Sequence, residues 1–531
     1  MSRRPAANVT YFRANSLVSE IQVEETMSNS TSRRHFLKRL GGCLASGTLM
    51  GLLPQLALMP RAAAQSAGGY RALVCIYLAG ANDSYNWLVP RDSEAAGSRY
   101  DTYKTSRGGV FSGSNPNGLA LAYSDLLALT PSNQSIGFGL HPSHADFSVT
   151  SGANSQSHSG LRTLYNSGKA AFVCNAGPLL QPISKSEYEA GAPRPAQLFS
   201  HNDQELLWHV GMGSTGESVA RFGWGGRVAR ATAGGSLPNG LSPTLSLAGA
   251  SRFLLGDQIL PYQVSSSGVD LIDNYTPGSA GNNYTAARRA LLDDILNDSH
   301  AHKFQRSYAS IAQRSLSVGE SLATLLDASD GSGNVSTLFP SGNSLADQLK
   351  MVARMIKVSR NSLGAQRQVY FVRLGGWDMH SGLFETGGAL TSTGHGGLLT
   401  TLNQAIGAYW TALGEIGARS EVTSFTMSDF GRTLTGNGGG SDHAWGGNLV
   451  VFGDAVSGNK LYGTYPKLVV NSNDNAARDW SLSRGQYIPT TAIEQVAATL
   501  AKWMGVSDSA ALTAMFPLLG NFGASDLGFM G

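Results

Sequence analysis

Acids and imidazoles gather at a few short, Gly-rich places in this chain. "LAGANDSYNWLVP" (78–90) places Asp83 after an apolar run, and "GGWDMHSG" holds Asp378 and His380. "SDFGRT" carries Asp429 and Arg432, and "GGGSDHAWGG" carries Asp442 and His443. "LFSHNDQELLWHVG" sets Ser200, His201 and Asp203 at the start of a helix-like stretch. Clustered carboxylates repel one another and resist burial. A divalent cation would neutralise them, and an Asp/His mixture suits zinc, manganese or another transition metal better than calcium.

These residues need elements to bring them together. Apolar runs predict strands over 72–78, 170–175, 368–374, 421–427 and 448–453. Helical patterns fall at 344–359, with Ser344 as cap and Leu345, Leu349, Val352 and Ile356 on one stripe, at 396–416, and at 489–504 opening on Pro489. The alternation predicts an α/β fold, a mainly parallel sheet sandwiched by helices, in one domain over 65–531. An irregular insertion is expected at about 228–343, with helical pieces within 286–330. Ligands of open α/β sheets bind beyond the strands' carboxyl ends, and Asp83, Asp378, Asp429 and Asp442 each lie just past a strand or just before one.

Of 531 residues, 42% are hydrophobic and 14% charged, which supports a large core. Residues 1–64 hold 8 of the 39 basic and 3 of the 36 acidic side chains, leaving 31 against 33, a net of −2. That balance gives no general case for nucleic-acid binding. "TSRRHFLKRL", with Arg33 and Arg34, then a weakly apolar stretch and "RAAAQ", has the layout of a bacterial twin-arginine export signal over 1–64. Met27 offers a later start that would leave 1–26 untranslated. The expected partner is the twin-arginine translocase, the expected location the periplasm or beyond, and the mature chain is expected to carry no integral membrane segment. Cys75 and Cys174, both in apolar runs, are expected as buried free thiols.

In chain order, "LAGANDSYNWLVP", "GLHPSH", the Ser-His-x-Asp-Gln run at 200–204, "GWGGR", "GGWDMH", "SDFGRT" and "GGGSDH" resemble an exported bacterial family labelled as a domain of unknown function. That family is similar to the alkaline phosphatase and sulfatase superfamily, and the resemblance spans about 70–530. It implies one or two divalent metals and a nucleophile at a helix N-terminus. Asp83 and the Asp442-His443 pair match metal-ligand places, while Asp378 and His380 resemble the intervening ligand segment, spaced more closely than usual. Ser200, or less favourably His201, falls where a nucleophile would. Arg432 would clamp an anionic ester's oxygens.

The chain also departs from the superfamily pattern. It has no His after His443 and no Cys/Ser-x-Pro-x-Arg motif. Asp429 stands where Glu is expected, and is read as tying down Arg432. Ser200 with Asp203 also fits a helix cap and capping box. His201 is a better ligand candidate than His209. His141 and His144 read as structural, His300 and His302 as a solvated surface, and His395 as lid or loop. Two functions fit these features: a metal-dependent hydrolase of phosphate or sulfate esters, and a non-catalytic secreted binding or assembly protein. A redox enzyme finds neither a Rossmann fingerprint nor a Cys ligand set.

Overall fold

The computed structural model describes residues 69–211, 222–233, 240–269, 271, 283–471 and 480–531. The chain divides into two compact units, Met1–Pro60 and Arg61–Gly531. The first unit lies outside the described residues, as does the whole expected export signal with Arg33 and Arg34.

The elements that position the site are, in chain order, β1 (Arg71–Leu78), β2 (Ala170–Gly177), α1 (His201–Val210), α2 (Trp224–Ala233), β3 (Thr244–Ser246) and β4 (Tyr262–Gln263). There follow α3 (Ser344–Asn361), β5 (Arg367–Leu374), α4 (Gly394–Glu415) and β6 (Val422–Ser428). The last are β7 (Arg432–Gly436), β8 (Ser441–His443), β9 (Gly447–Phe452), β10 (Leu461–Gly463), β11 (Thr491–Ala492) and α5 (Ile493–Met504). The main sheet runs β10-β2-β9-β6-β1-β5-β3-β4, with β11 added beside β2. Pairing is parallel except at β9, which is antiparallel to both β6 and β2. This is the expected mainly parallel sheet between helices.

β1 lies at the centre and is buried on both faces, which is why it reads as a continuous apolar run. Ala72, Val74, Ile76 and Leu78 face one core, shared with Leu349 and Ile356 of α3 and Leu402 and Ile406 of α4. Leu73, Cys75 and Tyr77 face the other, with Val228 of α2 and Val496 and Leu500 of α5. Each fully buried aliphatic side chain contributes about 1.5–3 kcal/mol, so these two faces anchor the sheet. Cys75 and Cys174 are free and buried, and they belong to the cores on opposite faces.

Several boundaries differ from expectation. The cap of α3 is Asn343, whose side chain accepts from Ala346 N at 3.0 Å, and Ser344 is the first helical residue. α5 begins at Ile493, because Thr491 and Ala492 pair with β2 as a short strand. The stretch read as an insertion supplies β3, which joins the main sheet in parallel with β5. It also supplies the expected helices, at Asn283–Asn297 and Lys303–Leu326. Among the described residues, no helix is long and apolar enough to cross a membrane.

Candidate metal centre

In the register of the central strands, Leu78 lies beside both Leu374 and Ser428. The carboxyl ends of β1, β5 and β6 are therefore level at one rim. Because β9 runs the other way, its start at Gly447 reaches the same rim, and the β7–β8 hairpin just before it brings Asp442 and His443 there. Two glycines allow the loops to close up. A Cβ on Gly80, at φ +112°, would sit 2.7 Å from Asp378 N, and one on Gly440 would sit 2.2 Å from Met379 O. Backbone bonds from Ser441 N to Met379 O (3.2 Å) and from Leu383 N to Gly439 O (3.2 Å) tie the hairpin to the segment after β5.

Three imidazoles meet there around one carboxylate. His201 Nε2 lies 3.3 Å from Asp378 Oδ2, while His380 Nε2 and His443 Nε2 lie 3.0 and 3.2 Å from Asp378 Oδ1. Each ring has its other nitrogen on an oxygen acceptor. His201 Nδ1 is 2.6 Å from Asp429 Oδ2, His380 Nδ1 is 2.9 Å from Asp442 Oδ1, and His443 Nδ1 is 2.7 Å from the Phe199 carbonyl. A neutral ring bonded in this way keeps its proton on Nδ1 and offers the Nε2 lone pair. His380 Nε2 and His443 Nε2 are only 2.9 Å apart. Two lone pairs at that separation, beside a carboxylate, repel unless a cation or an added proton lies between them. Ligand atoms of His201, Asp378 and His443 all lie within 4.8 Å of one another.

Arginines balance part of the charge. Arg432, fully buried, bonds Asp378 Oδ1 and the Ser441 carbonyl. Burial alone would raise the Asp378 pKa, but Arg432 outweighs it and holds the carboxyl below its ordinary value. Asp442 pairs with Arg484 and accepts from Asn437 Nδ2 at 3.0 Å. Against the opposing effect of burial, Asn437, His380 and Arg484 lower the Asp442 pKa to about 2. Burial lowers the His443 pKa below its usual value, which favours the neutral, ligating ring. Asp378, Asp429 and Asp442 against Arg432 and Arg484 leave these five side chains with a net charge of −1.

Of the residues named from sequence, His201, Asp378, His380, Asp442 and His443 come together. Asp83 does not join their contacts. It is buried against Arg107, which also bonds the Thr433 and Leu434 carbonyls at 3.0 and 3.3 Å. Arg432, expected as an anion clamp, faces Asp378 instead of solvent. Asp429 was expected to hold Arg432, yet it bonds His201, Tyr77 and the Gly80 N–H. Ser200 occupies the cap position of α1 without making a capping bond, and its Oγ donates to Asp203 Oδ2 at 2.6 Å. His395, expected in a lid or loop, is buried in the first turn of α4, its Nε2 2.8 Å from Asn82 Oδ1. His141 and His144 are buried.

Tyr77, Asn437 and Arg484 were not singled out from sequence. Tyr77 reads as one more apolar strand residue, and Arg484 as a lone cation in a polar loop.

Comparison with known proteins gives a family and little else. No curated protein matches the chain. Solved structures with partial overlap include Ps i-CgsB in complex with k-i-k-neocarrahexaose, at 11% identity over 67% of this chain and 69% of that one, with a TM-score of 0.26. Another is the PsFucS1 sulfatase from Pseudoalteromonas sp., at 11% identity over 64% and 61%, with a TM-score of 0.26. A mutant of alkaline phosphatase PafA overlaps at 8% identity over 69% and 64%, with a TM-score of 0.24. Overlaps this low carry no argument about chemistry. Residues 70–514 match the profile of one family, and the chain belongs to it: DUF1501, described as a protein of unknown function.

Proposed function

We propose that this chain binds a divalent transition metal at the rim and hydrolyses anionic esters, phosphate or sulfate, after export through the twin-arginine translocase to the periplasm or beyond. The observation that carries the metal is the convergence of three Nε2 atoms on Asp378, each ring steadied through Nδ1. His201, His443 and Asp378 would hold the ion, with His380 as a further donor, and zinc or manganese suits such nitrogen-rich sets. The donor chemistry fits, because the net negative charge of the three carboxylates and two arginines and the facing lone pairs are both relieved by a cation. A bound ion would supply Lewis-acid polarisation of an ester oxygen.

The chain's own groups supply the rest. The Ser200 hydroxyl, not spent on capping, is the candidate nucleophile, and Asp203 already accepts its hydrogen bond and is placed to take its proton. Arg432 acts by orienting Asp378, and Arg484 by holding Asp442.

The test is elemental analysis of the mature chain after dialysis. About one equivalent of zinc or manganese is expected, lost in His443→Ala, together with turnover of aryl phosphate or sulfate that disappears in Ser200→Ala. A folded chain that takes up no metal would overturn the reading. Arg33→Lys with Arg34→Lys is expected to keep the protein in the cytoplasm, and export of that variant would overturn the assignment of the signal.

A second reading, a non-catalytic secreted binding or assembly protein, is favoured by one observation. The guanidiniums of Arg432 and Arg484 are engaged by carboxylates rather than held ready for an anionic ester. Metal uptake with no turnover of any ester offered would support it.

A further inference from the structure

We propose that Asp429, itself fixed by Tyr77, is a positioning residue that locks the His201 ring with Nε2 facing Asp378; the role rests on the metal-binding reading above. Asp429 is buried, follows β6 directly, and has both carboxylate oxygens in use. Oδ2 takes His201 Nδ1 at 2.6 Å, while Oδ1 accepts from Tyr77 Oη at 2.5 Å and from Gly80 N at 3.2 Å. Tyr77 belongs to the central strand and is wedged against Phe371 and His209, with ring centroids 5.9 and 5.0 Å away.

The result is a chain from the rigid middle of the sheet to the rim: strand tyrosine, buried carboxylate, imidazole, ligand nitrogen. A carboxylate on the far nitrogen of a ligating histidine sets its tautomer and raises its basicity. Neither His380, anchored by the partly exposed Asp442, nor His443, anchored by a loop carbonyl, reaches as far into the core. His201 is thus the best fixed of the three rings, and the sheet itself aims it.

Two measurements on the mature chain test this. The first is zinc affinity by competition with a chromophoric chelator. Asp429→Asn, nearly isosteric, is expected to weaken binding by about 10–100-fold, and Tyr77→Phe by a smaller, several-fold amount. The second is the tautomer of metal-free His201, read from long-range proton–nitrogen NMR correlations. The wild type should carry its proton on Nδ1, and Asp429→Asn should move a substantial fraction to Nε2. A purely structural role would lower the melting temperature without moving the tautomer. Zinc affinity and tautomer both unchanged in folded Asp429→Asn and Tyr77→Phe would overturn the proposal, as would a wild-type proton on Nε2. A wild-type Nδ1 proton together with no zinc uptake would uphold the positioning role and sink the metal reading alone.

Discussion

Asp83 and Asp378 leave neighbouring strands at the same rim, yet they meet opposite fates. Asp83 is sealed beside Arg107, with both side chains at most 1% exposed, and His395 and Asn82 lie close by. Asp378 also has an arginine, but it is 39% exposed and faces three imidazole nitrogens. The same residue types thus build a closed, charge-paired joint in one place and a set of unspent donors in the other. Neutralisation from within makes the first structural. Incomplete neutralisation makes the second a candidate for a ligand.

Acid should strike the buried region hardest. Burial lowers the pKa values of His144 and His209 to about 3 from 6.5. Such a ring binds fewer protons folded than unfolded, so stability is complete above pH 6.5 and falls as pH drops towards 3. At pH 5 each ring costs about 2 kcal/mol, which urea unfolding at pH 7 and pH 5 would register. Comparable to the two rings together is Asp83→Ala, expected to cost about 3–5 kcal/mol by stranding Arg107, with partial recovery in Asp83→Leu/Arg107→Met. His380→Ala at the rim should stay within about 0.5 kcal/mol in the same assay. If the two losses matched, the contrast between joint and donor set would break. Zinc at 100 times its dissociation constant should add about 2.7 kcal/mol to the wild type and nothing to His443→Ala. The smallest effect is expected for Ser200→Ala, within about 0.5 kcal/mol by unfolding, because its hydroxyl caps nothing.

The fold was legible because the central strands are buried on both faces. Their runs at 72–78, 368–374 and 421–427 match the observed strands to within a residue. β3 was missed because a three-residue strand inside a Gly/Pro/Ser-rich stretch carries no periodicity. The site was legible in composition but not in partnership. Residues after parallel strands and residues before an antiparallel one share a rim, which is why Asp378 and Asp442 meet although each was read from a different side of its strand. Pairing was beyond reach. Nothing local distinguishes Asp83, which finds Arg107, from Asp378, which finds Arg432, since both arginines come from elsewhere in the chain. Closeness in sequence pairs Asp429 with Arg432, three residues away, but its partners are Tyr77 and His201, brought near only by the sheet.

The rings are also steadied crosswise. His201 leans on a residue after β6, His380 on the hairpin, and His443 on the backbone just ahead of α1. No segment can be exchanged for that of a distant relative without unseating a ring that another segment supports. Grafting onto a foreign scaffold would have to carry all these pieces at once, and drift in one would have to be answered in the others.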